Sequence, residues 1–271
     1  MHAWLGEADL ERALRRLRRD LGDDPAAAAG EFLRFVVGRA ASDARMWVEH
    51  TPATVRRAAG LHALVPDLRI VHVVRDGRDT AVSMTRRPWA PDDPVDALRL
   101  WGLRMRRAHE ALASVPPGAV HEFRWEDLVG EGREPTYSAL LEFLGLDDRP
   151  GARRLLQRLS PERAHVAQWR DEVPEHRRDE FLAVYGAILE GLRRSGAGLL
   201  GLDDGVAVPG DVEHRIAEQR RYEAEAEAGE LRSEIQELRR SLAAESARAE
   251  RKERRLRRER REGEDAAPGS P

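Results

Sequence analysis

The chain has 271 residues, with 46 Lys or Arg against 49 Asp or Glu and a formal net charge of -3, a balance that gives no argument for nucleic acid as a partner. The absence of cysteine excludes disulfides and thiolate metal sites. No apolar run is long enough for a transmembrane helix and no signal-peptide core stands at the N-terminus, so the expectation is a compact domain followed by a charged tail.

In chain order, residues 7–21 place Leu10, Ala13, Leu14, Leu17 and Leu21 at helical spacing, and Asp23-Asp24-Pro25 opens a second helix to Arg39 with Phe32, Phe35 and Val36 on one face. Both read as packing helices. Met46-Trp47-Val48 reads as a short strand running into Glu49-His50-Thr51-Pro52, with Pro52 at the first position of a helix ending at Leu64. Ile70 to Val74 is a short β-branched run, broken by His72, and predicts a buried strand of a parallel sheet. His72 reads as a hydrogen-bonded core histidine.

The turn Asp76-Gly77-Arg78-Asp79 follows, with Gly77 free to take positive φ and Asp79 as N-cap of a helix from Thr80 to Arg86. A strand end that meets a helix N-terminus predicts an anion site, because free backbone N–H groups and the helix dipole converge there. Arg75 reaches that spot from the strand. Ser83 offers a hydroxyl one turn into the helix, and Arg87 adds a second guanidinium one turn further. A guanidinium suits phosphate because its planar fork makes two bonds at once.

Pro88 to Pro91 reads as a loop, and Asp93-Pro94 starts a long helix with Leu98, Trp101, Met105, Ala108 and Leu112 on one face. A strand from Ala119 to Arg124 comes next, then a helix from Tyr137 to Leu144 capped by Gly145. Residues 150–200 read as helices with Trp169-Arg170 between two of them. Glycines from Gly198 onward, with Pro209, mark a boundary. Beyond it Ala217, Ala224, Leu231 and Leu238 repeat every seven residues, as do Ala228, Ile235, Leu242, Ala249 and Leu256. That seam, with Glu245 and Lys252 falling on it, predicts a coiled coil that pairs with itself. The domains expected are 1–200 for the α/β unit, 201–211 for a linker, 212–262 for the coiled coil and 263–271 for a disordered tail.

Arg75, Ser83 and the RDGRD turn resemble the 3′-phosphate motif of sulfotransferases that use 3′-phosphoadenosine 5′-phosphosulfate (PAPS). Arg87, four residues after Ser83, resembles the second arginine of the Golgi protein-tyrosine branch. Glu49-His50-Thr51-Pro52 lies where many bacterial members carry a Lys-Thr-Pro tripeptide. Phe123 to Val129 resembles the Arg-Tyr-Glu-Asp-Leu stretch, with Trp125 in the tyrosine's place, and Phe143-Leu144-Gly145 resembles the helix end that follows. The resemblance covers residues 45–200 and implies a three-layer α/β fold of the P-loop kinase type, a parallel sheet flanked by helices. It implies a PAPS-dependent transferase without a metal, acting on a hydroxyl or amine acceptor; the lack of a signal-peptide core and of a transmembrane run makes the cytoplasm of a bacterium the expected location. Arg75, Ser83 and Arg87 would hold the 3′-phosphate, with Trp125 and Arg170 also at the nucleotide. His50 or Glu49 would take the acceptor's proton. The family's first strand and its Pro-Arg-Ser-Gly-Thr type loop are not found before residue 45. That departure raises a second expectation, a non-catalytic protein that binds a 3′-phosphonucleotide or serves as a coiled-coil assembly partner. A nucleotide phosphotransferase of the same broad fold is a third, opposed by the lack of a Gly-Lys-Ser/Thr loop.

Overall fold

The computed structural model describes residues 25–40 and 46–265, with residues 11, 12 and 15. Most of the helix expected over 7–21 and the tail beyond Asp265 lie outside the described residues. The chain divides into two units, Met1–Ile216 and Ala217–Pro271.

Helix α1 runs Pro25–Ala40. Residues 46–50, expected to contain a strand, are exposed chain outside regular structure. Among the described residues no strand pairs with them, so their backbone groups have no ladder to join there. Pro52 opens not one helix but two pieces, a 3-10 helix Pro52–Arg57 and then α2, Ala58–Leu64. Strand β1, Ile70–Val74, leads to α3, Gly77–Met84, and α4, Pro94–Leu112. The carboxylate of Asp93 caps α4 by accepting from the N–H groups of Val95 (2.8 Å) and Asp96 (3.2 Å), and Pro94 takes the first position. Strand β2, Val120–Arg124, pairs parallel with β1 in the register Ile70–Val120 to Val74–Arg124. Four helices follow: α5, Trp125–Val129; α6, Arg133–Leu144; α7, Pro150–Gln157; and α8, Trp169–Glu172. Gly145 ends α6 in the left-handed conformation, φ 64°, which explains glycine there. Helix α9, Glu175–Arg194, and α10, Val212–Asp265, complete the chain. No helix among the described residues is long and apolar enough to cross a membrane.

The first unit is mixed α/β and mostly helical, and its sheet has two strands among the described residues. That changes the reading of β1. Only Val74 is buried, while Val73, on the opposite face, is 47% exposed, so the strand is not buried on both faces as expected. His72 faces its register partner Glu122, Nδ1 to Oε2 at 3.2 Å, and the contact holds the Glu122 carboxyl below its usual range.

The main core joins α3, α4 and α9, with Leu98, Trp101, Phe181, Tyr185 and Leu189 at its centre. The apolar stripe of α4 behaves as its spacing predicts: Leu98, Trp101, Ala108 and Leu112 are all buried. A second cluster gathers Phe123, Leu128, Tyr137 and Leu156 below β2. Gly77 does not serve a positive φ. It stands at the first position of α3, where an added Cβ would meet the Trp101 ring at 2.6 Å. Glycine is required by that close approach, so Gly77→Ala should cost about 1–3 kcal/mol through overpacking. Urea unfolding should show this as a lowered midpoint at an unchanged slope; an unchanged midpoint would contradict the packing described.

Candidate functional site at the strand ends

Because β1 and β2 run parallel, their carboxyl ends open side by side, and Arg75 and Trp125 follow directly from Val74 and Arg124. In open α/β sheets this is the edge at which ligands bind. The two ends are fastened to each other: Glu126 accepts from the backbone N–H of Asp76, Oε1 at 3.0 Å. Arg124 reaches Gly201 O at 3.2 Å, and its Nε stands 3.7 Å from the Glu126 carboxylate.

The N-cap of α3 is Asp76, not Asp79. Its carboxylate accepts from the Arg78 N–H at 2.8 Å and pairs with the Arg78 guanidinium at 2.6 Å. That guanidinium also lies 4.9 Å from the Trp169 ring and 4.8 Å from the Tyr185 ring, a doubled cation–π contact that fixes it in place. The helix start is therefore occupied by carboxylates. Asp76 fills the cap, with Asp79 and Glu126 close by, so the expected anion position at the helix N-terminus is filled and electronegative.

Asp79 is only 1% exposed and has a different task. Its Oδ2 accepts from the N–H of Ala167 at 2.7 Å and its Oδ1 from the N–H of Trp169 at 3.0 Å. Burial pushes its pKa up, against the pull of those two donors. Arg75 grips the same segment from the other side: Nη2 donates to Ala164 O at 3.1 Å and to His165 O at 2.9 Å. The segment needs such ties, since His165 and Ala167 hold φ of 55° and 63°, where side chains are disfavoured. Arg75 Nε is left buried without a hydrogen-bond partner.

Ser83 is half-buried on α3. Arg87 is exposed and lies beyond the end of that helix, its N–H bonded to Met84 O at 2.8 Å, so it does not continue the helical face of Ser83. Trp125 packs against the second core cluster. Arg170 is exposed on α8, 5.7 Å from the Trp169 ring, and reaches this neighbourhood because Asp79 holds the backbone of Trp169. Arg86, at the end of α3, pairs with Glu172 and ties α8 to it again. Glu49 and His50 are exposed ahead of the 3-10 helix. The Glu49 carboxylate accepts from the Thr51 N–H at 2.7 Å, and hydrogen bonding from Thr51 and Thr54 holds its pKa below the usual range. It is thereby a weaker base. The contributions of Asp79 and Glu126 were not read from the sequence. Both are long-range contacts from acidic residues whose neighbours suggest only local caps.

Asp79→Ala leaves two backbone N–H groups without acceptors, at a cost of about 1–3 kcal/mol each where they stay buried. Amide hydrogen exchange in residues 160–172 should quicken more than in α4 or α9; exchange unchanged in that segment would show that the carboxylate does not hold it.

The model of the sulfotransferase family matches residues 8–150, just over half of the chain. The match begins earlier than residue 45 and stops before the segment with Trp169 and Arg170. Among solved structures, the sulfotransferase domain from the curacin biosynthetic pathway is similar at 16% identity with a TM-score of 0.37, over 52% of this chain and 56% of that one. The chain thus spans just over half the length of that domain. No curated protein matches it. The span of the family match takes in Glu49 to Pro52, Arg75, Ser83, Arg87 and Trp125, and on that match the chain belongs to the sulfotransferase family.

Proposed function

We propose that the chain transfers a sulfuryl group from PAPS to a hydroxyl or amine acceptor, on a sheet of the P-loop kinase type. Membership of a transferase family supports this reading over the non-catalytic one. The observation that carries it is Arg75. A guanidinium stands at the carboxyl end of a parallel strand with its Nε buried and without a partner. A buried donor left unmade costs free energy, and an anion at that point would satisfy it. The 3′-phosphate of the donor nucleotide fits such a point. Since Asp76 fills the N-terminus of α3, recognition falls to side chains: the Nε of Arg75, the Ser83 hydroxyl and, from the turn beyond the helix, Arg87. Arg170 on α8 supplies further positive charge at the same neighbourhood.

In the reaction the acceptor oxygen or nitrogen bonds to sulfur while the bond from sulfur to the phosphate oxygen breaks, releasing adenosine 3′,5′-bisphosphate. The acceptor's proton must pass to a base. We assign that role to His50, because the Glu49 carboxylate already accepts from the Thr51 N–H and is held ionised.

Arg75→Ala should weaken binding of adenosine 3′,5′-bisphosphate by about 2–4 kcal/mol, the cost of removing a charged hydrogen-bond partner. Arg75→Lys, which keeps the charge but has no second nitrogen to stand in for Nε, should fall between wild type and Arg75→Ala. Calorimetric titration, with a thermal melt to establish that each variant is folded, gives the comparison. Equal affinities for wild type and a folded Arg75→Ala would overturn the assignment.

A further inference from the structure

The second unit carries a feature that sulfuryl transfer does not use. Within α10, Leu231, Ile235, Leu238 and Leu242 are 59%, 49%, 64% and 66% exposed. Their spacings of four, three and four residues put all of them on one stripe, continued toward the N-terminus by Ala228 and Ala224. An exposed stripe of this kind on a long helix is apolar surface that water penalises. With Ile235 and Leu242 at a positions and Leu231 and Leu238 at d positions, the pattern is that of a helical pair, and β-branched Ile at a with Leu at d suits two parallel strands.

We infer that the stripe is covered by α10 of a second copy of this chain, lying parallel and in register. Charge decides the partner and the direction. The heptad puts Arg220, Glu227 and Glu234 at successive g positions, and Glu225, Arg232 and Arg239 at successive e positions. In a parallel pair each g residue meets the e residue five positions on in the other helix. Those meetings are Arg220 with Glu225, Glu227 with Arg232, and Glu234 with Arg239, all of opposite sign, and each occurs twice by symmetry. A shift of one heptad puts Arg220 against Arg232. Reversing one helix brings e against e and g against g. With Ile235 facing Leu238, that sets Arg232 against Arg239; with Ile235 facing Leu231, it sets Glu234 against Glu234 and Arg232 against Arg232. Like charges at such positions select against both arrangements.

The chain has no cysteine, so a single introduced thiol reports its own neighbour without interference. Leu231→Cys and Leu238→Cys, made separately in the full chain and oxidised, should each give a covalent dimer on a non-reducing gel. The two positions are about 10 Å apart along the helix, and a disulfide needs Cα atoms within about 7 Å. An antiparallel pair therefore links at one of them at most, and that result would overturn the proposal. Light scattering of the unmodified chain should give twice the chain mass at micromolar concentration; a monomer would overturn it too and assign the stripe to a different protein. Glu234→Arg should raise the dimer dissociation constant at least tenfold, and Glu234→Arg combined with Arg239→Glu should restore it. Failure of the pair to restore pairing would contradict the register.

Discussion

A single buried carboxylate and one guanidinium hold the strand end and a loop about ninety residues distant in one place. Asp79 takes the amides of Ala167 and Trp169, and Arg75 takes the carbonyls of Ala164 and His165. The left-handed conformations of His165 and Ala167 are strained, and the four hydrogen bonds to charged groups hold the segment against that strain. The burial of Asp79 is itself unfavourable, as its raised pKa reflects. Each group thus depends on the other for its environment, and the positions of Arg75 and Arg170 follow from the loop that both groups hold.

This arrangement sets how an anion can be recognised. A phosphate at the start of α3 would meet the carboxylates of Asp76, Asp79 and Glu126, whereas the guanidinium of Arg75 leaves one buried donor unmatched. In the proposed reading, recognition therefore falls to side chains and not to helix N–H groups, and Arg75 offers its unmatched Nε while Nη2 stays on the loop carbonyls. The same carboxylates keep the turn rigid by capping α3, pairing with Arg78 and joining the ends of β1 and β2, so preorganisation and selectivity come from one set of residues.

Much of the local structure was legible in the sequence because it rests on local causes. The α4 stripe, the proline and aspartate that open it, and the glycine that closes α6 act within one or two turns of chain. The strand β1 was legible as a strand but not in its burial, since exposure of Val73 depends on what packs against its face of the sheet, which is set by tertiary folding. Gly77 was legible as special for the wrong reason: the Trp101 ring that demands it lies in the next helix. Asp79 looked like a cap because a cap needs only an acidic side chain before a helix, and its true partners are set by tertiary folding. Arg75 could be singled out from its place after an apolar run, yet its grip on the loop carbonyls has no local signature.

In the function proposed, the unpaired Nε of Arg75 docks the phosphate of an activated-sulfate nucleotide. A crystal structure of the chain with adenosine 3′,5′-bisphosphate measures this directly. A phosphate oxygen should lie within hydrogen-bond distance of Arg75 Nε, with the Ser83 hydroxyl on the same phosphate. A nucleotide bound elsewhere, with that nitrogen still unpaired, would contradict it.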